Sequence, residues 1–326
     1  MAQLVTFGEA MVRLSPPGPM VIEQASHLDM FPASSELNAA VTAQRLGLST
    51  RFVSRFAADP LGRFLVNKTR EHGIDTAFVQ WSEEHRQGLY FYENGVPPRP
   101  GMAYYDRGHS AFSYVQPGEF AWNAAFQGAA VFHTSGINPA LNDTVHRATL
   151  EAVQTAKDLG LKVSFDFNYR SKLWEKPKAA EVLQQYMPYV DILFTSAGDA
   201  ETILGLRHLD GEELAQRIAK DYAVPTVCLV HRSPNPESLW RVTSLSHGTL
   251  YHADQRGTMR AVERLGAGDA LAGGFLTGFL EEGPQLAVQI ANASMTLKNT
   301  YQGDFSYITR EAVDSHLAGD FSMVKR

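Results

Sequence analysis

Several things are scarce in this chain, and each shortage excludes a class of protein. One cysteine, Cys228, occurs in 326 residues, so no internal disulfide can form. It sits in the apolar run Thr226-Val-Cys-Leu-Val230 and reads as a small core residue of a protein kept in a reducing cytoplasm. No basic block interrupts a formal net charge of −6, which argues against nucleic acid and anionic membrane as partners. The sequence shows no long apolar span and no leader pattern, so no membrane segment is expected. The strings G-x-x-x-x-G-K-[ST], H-E-x-x-H, G-x-S-x-G and C-x-x-C are all missing, and the eleven histidines show no ligand spacing.

What the sequence does contain is alternation. With 44% hydrophobic residues there is material for one large core. Apolar runs at 4–7, 52–54, 130–132, 162–167, 190–194 and 226–230 read as strands. Helical patterns at 38–46, 61–71, 143–159, 179–186 and 211–222 separate them. This order predicts an α/β protein with a mostly parallel central sheet and helices on both faces. Two proline-rich stretches with short strand-like pieces, at about 12–33 and 88–112, are expected to pair as a small β-sheet lid. Ligands of such sheets sit beyond the carboxyl ends of the strands.

The most informative string is Arg264-Leu-Gly-Ala-Gly-Asp-Ala-Leu271, followed by apolar residues at helical spacing. Gly266, Ala267 and Gly268 would open their backbone N–H groups to an anion at a helix start, where the dipole also favours negative charge. Leu271 stands where a third glycine would complete a dinucleotide fingerprint, so phosphate is the better ligand. Asp269 is either a plain first-turn acid or a base that takes a proton from an attacking hydroxyl. In Val163-Ser-Phe-Asp-Phe-Asn-Tyr-Arg170, alternation puts Asp166, Asn168 and Arg170 on one face. Arg170 is then either a surface ion pair or a two-pronged clamp for a carboxylate. In Ala33-Ser-Ser-Glu-Leu-Asn38, Ser35 or Asn38 is either a helix cap or, for Asn38, a contact to a sugar hydroxyl. Tyr90, Tyr104, Tyr105 and Arg107 either pack within the lid or wall off a substrate.

Together these strings identify a resemblance. The chain resembles the ribokinase-like (PfkB) carbohydrate kinases over essentially its whole length, as a single domain spanning 1–326, and within them the 2-keto-3-deoxygluconate kinase branch. The residues that carry it are Gly266-Ala-Gly-Asp269, Asp166-Phe-Asn-Tyr-Arg170 with Leu173-Trp174, Ser135-Gly-Ile-Asn-Pro-Ala-Leu141, Tyr104-Tyr-Asp-Arg107 with Ser110, and Gly303-Asp304-Phe305. The resemblance implies ATP-dependent, magnesium-assisted phosphorylation of 2-keto-3-deoxygluconate to its 6-phosphate. Asp269 would be the base and the amides of 266–268 the anion hole. Ser34, Asn38, Tyr90, Tyr104, Arg107, Arg170 and Asp304 would hold the sugar acid. Ser196, Arg232 and Asn292 would join Gly266 and Gly268 on the nucleotide side, with Asp199 organising the metal indirectly. A dimer formed through the lid is also implied.

Some positions depart from the pattern. Ala33 and Ser34 stand where the family has two glycines, which narrows the sugar site. Ser196-Ala-Gly-Asp199 replaces N-x-x-E, with Glu201 near enough to compensate, and Glu263 replaces the usual acid before the glycine loop. The segment His231 to Ser238 holds no glycine that would mark nucleotide contacts. These departures keep two competing readings open: a non-catalytic sugar-acid or nucleotide binder, and a kinase of altered sugar specificity.

Overall fold

Short runs rich in β-branched and aromatic residues, alternating with amphipathic stretches, build a parallel sheet because each crossover helix covers the strand it has just left. The computed structural model describes residues 2–209, 211–235 and 237–321. Its strands are β1 (Leu4–Phe7), β2 (Met11–Ser15), β3 (Asp29–Ala33), β4 (Thr50–Ala57), β5 (Val79–Ser82), β6 (Leu89–Glu93) and β7 (Met102–Asp106). They continue as β8 (Val131–Ser135), β9 (Lys162–Asp166), β10 (Ile192–Thr195), β11 (Thr226–Arg232), β12 (Trp240–Ser246) and β13 (Thr249–Asp254). The helices are α1 (Ser35–Arg45), α2 (Pro60–Glu71), α3 (Trp122–Ala125), α4 (Asp143–Asp158) and α5 (Lys176–Leu183). After them come α6 (Ala197–Leu204), α7 (Gly211–Tyr222), α8 (Ala267–Glu281), α9 (Pro284–Lys298) and α10 (Arg310–Leu317).

Among the described residues the large sheet has the order β13-β12-β11-β10-β9-β8-β1-β4-β5. Neighbours from β5 to β11 run parallel, and β12 and β13 add an antiparallel edge. Strand alternation divides the core. In β10, Ile192 and Phe194 face Phe275 of α8 and Val288 of α9, whereas Leu193 faces the side of α4 to α7, with Ala152, Ile203 and Ile218. Each such buried side chain contributes roughly 1.5–3 kcal/mol. The sequence pattern assigns no element to 240–254. This hairpin reads poorly because His252, Arg241 and Asp254 fall inside it, the latter two paired at 2.8 Å.

A second sheet has the order β3-β2-β6-β7. Its register sets Phe31, Arg13, Tyr90 and Tyr105 in one row and Met30, Leu14, Phe91 and Tyr104 in the next. Consecutive rows point to opposite faces. Two local expectations are corrected. α1 begins at Ser35, capped by the Ser34 hydroxyl, which accepts from the Leu37 N–H, so neither Ser35 nor Asn38 is the cap. β9 ends at Asp166 and Asn168 has φ +42°, so Asn168 and Arg170 lie in the following loop instead of sharing a strand face with Asp166.

Candidate active site

The site lies where β1, β8, β9 and β10 end. Close packing of α1 on α8 assembles its centre: a Cβ on Gly273 would stand 2.3 Å from the Ala39 carbonyl oxygen, so only glycine lets the two helices approach this closely. That approach brings the first turn of α1 against the first turn of α8. The Ser35 hydroxyl donates to Asp269 Oδ1 at 2.7 Å and Asn38 Nδ2 to Asp269 Oδ2 at 2.7 Å. Burial raises the Asp269 carboxyl above its ordinary range, and the hydrogen bonds from Asn38 and Ser35 oppose this. Asn38 therefore serves Asp269 with its amide nitrogen. Its Oδ1 is buried and has no hydrogen-bond partner among the described residues.

Gly266 caps α8 at φ +77°, and a Cβ there would lie 2.0 Å from the Asp304 carbonyl oxygen. Nothing lies within 4 Å of a Cβ built on Gly268, so the space beyond the helix start is open, as an anion at these N–H groups requires.

Two cavities meet at this point. One, of about 110 Å³, is lined by Ser34, Ser35, Asn38, Tyr90, Tyr105, Arg107, Lys172 and Asp304. The other, of about 370 Å³, is lined by Asp166, Asn168, Ser196, Asp199, Ala267 and Gly268. Arg170, Leu265, Gly266 and Asp269 line both. The Arg170 guanidinium makes no hydrogen bond among the described residues, and it faces the charges of Asp166, Asp199 and Asp269. Burial lifts both the Asp166 and Asp199 carboxyls; Asp199 and Asp269 lift Asp166 further by charge. A cation on this side would relieve that crowding.

Other expected residues land differently. Tyr104 lies in the row away from the cavity and is 48% exposed. Strand parity puts Tyr105 in the cavity instead, stacked on Tyr90 with ring centroids 5.5 Å apart. Arg107 lines the cavity but is ion-paired with buried Glu9, its Nε donating at 2.9 Å. Asp304 also lines the cavity, yet both oxygens are engaged: Oδ1 accepts from the Tyr90 hydroxyl at 2.7 Å and Oδ2 from Arg13 at 2.8 Å. Burial raises the Asp304 carboxyl against the lowering effect of Arg13.

Three residues expected on the nucleotide side lie away from the two cavities. Arg232 ends β11 opposite Trp240 and lines neither cavity. Asn292 donates to the Ala253 carbonyl at 2.8 Å and lines a separate cavity of about 460 Å³. Glu201 lies 3.8 Å from Arg207, outside the cavity that Asp199 lines. Ser196 caps α6, its hydroxyl accepting from the Asp199 N–H at 3.1 Å. Pro236, in the expected nucleotide segment, lies outside the described residues.

Sequence reading missed Arg13 altogether. It is fully buried, donates to Glu263 at 2.9 Å and to Ser15 at 2.7 Å, and lies between the rings of Phe31 and Tyr92 at 4.9 and 4.7 Å. Its acidic partners are 250 and 291 residues away in sequence, so no local spacing reveals it. Lys172 was missed as well; it reaches from the β9 loop to the Ala103 carbonyl of β7 at 2.6 Å.

The geometry has counterparts in known proteins. A family model described as pfkB family carbohydrate kinase matches residues 1–308. The 2-dehydro-3-deoxygalactonokinase of Haloferax volcanii is 37% identical, over 100% of this chain and 99% of its own length. The 2-dehydro-3-deoxygluconokinase of Thermoproteus tenax is 30% identical, over 93% of this chain and 90% of its own. Among solved structures, the 2-dehydro-3-deoxygluconokinase of Thermotoga maritima matches with a TM-score of 0.91 at 33% identity, covering 98% of this chain and 100% of that one.

Proposed function

The chain belongs to the pfkB family of carbohydrate kinases, and from that premise we propose that it transfers the γ-phosphoryl group of ATP to the terminal hydroxyl of a 2-keto-3-deoxy sugar acid, forming the 6-phosphate. The observation that carries this reading is the position of Asp269, at the seam of two cavities and beside an open helix N-terminus. A hydroxyl entering from the smaller cavity meets the carboxylate, and a phosphoryl group entering from the larger one meets the amides of 266–268. Asp269 takes the hydroxyl proton while the sugar oxygen bonds to phosphorus and the bond from phosphorus to the ADP oxygen breaks. The amides stabilise the charge spread over the transferring oxygens. Arg170 holds the sugar carboxylate, and the unpartnered Asn38 Oδ1 accepts from a sugar hydroxyl.

Among the described residues no cluster of three or more acids, histidines or cysteines stands ready to hold a metal. The crowded carboxylates of the larger cavity nevertheless fit one held jointly with nucleotide phosphates, Asp199 being the protein's contribution. Magnesium bound there would offset phosphate charge. Both epimers have support: the gluconate form from the Thermoproteus and Thermotoga proteins, the galactonate form from the Haloferax protein. Exposed Met30, Met102 and Tyr104 on the small sheet support a dimer through that face, which sedimentation measures directly.

The test is ADP release with ATP and magnesium over 2-keto-3-deoxygluconate, its galactonate epimer, gluconate, fructose and ribose. Turnover is expected only on the keto-deoxy acids, and the ratio between the two assigns the epimer. Asp269→Asn is expected to lower kcat by about 1,000-fold with sugar binding retained. Near-normal turnover in that variant removes Asp269 from the role of base, and binding without turnover in the unaltered protein favours a non-catalytic binder.

A further inference from the structure

Resting on the reading of Asp269 as the base, we infer that Ser35 is a positioning residue: a fixed hydroxyl donor that sets the orientation of the Asp269 carboxylate and ties it to the loop after β9. A serine hydroxyl has one hydrogen to give and two lone pairs to receive with. Asn168 Nδ2 lies 2.9 Å from Ser35 Oγ and can only donate, so it fills the receiving side. The single hydrogen of Ser35 is left to Asp269 Oδ1, at 2.7 Å, and among the described residues it has no other acceptor.

Asn168 is itself held. Its backbone N–H donates to Asp166 Oδ1 at 3.1 Å, and its side-chain nitrogen lies 3.4 Å from Asp166 Oδ2, which fixes which end of the amide points at Ser35. It has φ +42°, in the left-handed region where asparagine is tolerated and most residues are not. A turn conformation beyond β9 is thereby transmitted through α1 to the first turn of α8. Asn38 holds the other carboxylate oxygen, so together the two donors fix the carboxylate plane, leaving on each oxygen a lone pair for the incoming hydroxyl.

Steady-state kinetics over pH on the intact protein, comparing Ser35→Ala and Ser35→Thr, tests this. The charged groups facing Asp269 are Arg170, Asp304, Asp166, Glu36 and Lys298. None of them differs between the two variants: Ser35→Ala removes the hydroxyl, and Ser35→Thr keeps it with one added methyl group. Ser35→Ala is expected to lower kcat about tenfold with KM for the sugar acid within about twofold. It is also expected to move the acid limb of kcat/KM about one unit higher, because losing the donor disfavours the ionised carboxylate. Ser35→Thr restores both. A Ser35→Ala enzyme with the unaltered pH profile and kcat overturns the inference, as does a loss confined to KM.

A second measurement is independent of turnover. Carboxyl-carbon NMR titration, with the Asp269 signal assigned by its loss in Asp269→Asn, is expected to show a higher midpoint in Ser35→Ala. An unmoved midpoint overturns the inference even if the protein turns over no sugar. If the protein is active, Asp269→Asn is inactive and Ser35→Ala is normal, the base assignment stands and the positioning role alone falls.

Discussion

Two carboxylates, half-buried Asp269 and buried Asp304, flank the same cavity, and they are held in opposite ways. Asp269 accepts from neutral donors, Ser35 and Asn38, whereas Asp304 is clamped by the Arg13 guanidinium, which also binds Glu263. A base must be able to take up a proton and release it, and neutral donors orient it without the large cost of protonating the partner of an adjacent cation. A carboxylate fixed by arginine is poorly suited to that exchange and well suited to joining the small sheet to the glycine loop. With Asp269 read as the proposed base, the α1–α8 corner suits chemistry and the Arg13 knot suits architecture.

The largest predicted effect falls on the knot. Arg13→Ala strands Glu263 and Asp304 as unpaired buried acids, with an expected loss of about 3–5 kcal/mol in urea unfolding; a loss below about 1 kcal/mol erases the contrast between the two corners. Next, Arg170→Ala is expected to weaken binding of a keto-deoxy acid by about 10- to 100-fold in calorimetry while leaving the dissociation constant of a neutral sugar nearly unchanged. Equal changes on both remove the carboxylate contact.

The third effect is a pH dependence centred on Glu36. Burial pushes this carboxyl up to about 7, against a hydrogen bond from Ser135. The folded state therefore binds more protons than the unfolded chain between the ordinary glutamate range and about pH 7, and stability falls as pH rises through that window. Glu36→Gln is expected to flatten this slope, adding on the order of 2 kcal/mol at pH 8 and little at pH 5. Melting curves at both values check it, and a constant difference counts against the sign. The smallest effect is Tyr90→Phe, which removes one hydrogen bond from an acid still held by Arg13, at about 1–2 kcal/mol. A cost near that of Arg13→Ala would make the hydroxyl, and not the cation, the anchor.

The glycine loop was legible as a helix start because that signal is local: Gly266 and Gly268 stand directly ahead of an apolar helix, and Gly266 caps it. The βα alternation was legible because burial on both faces leaves unbroken apolar runs such as Val227 to Leu229. The hairpin of β12 and β13 was not, since an edge of the sheet tolerates charge and so hides its period. Residue pattern did not rank Tyr104 against Tyr105 either, and the resemblance pointed to Tyr104. They are adjacent in one strand, and only pairing with β6 decides which of them faces the cavity.

By itself, then, the sequence determined the fold class, the family and the glycine loop at a helix start, all of which rest on periodicity and short contiguous strings that do not depend on distant partners. Tertiary structure alone decided that Ser35 and Asn38 hold Asp269, that Arg13 holds Asp304, and that Arg232 and Asn292 stand apart from the seam of the two cavities. The first two facts are set by hydrogen-bond and charge satisfaction between residues more than 200 positions apart, for which a linear pattern carries no signal.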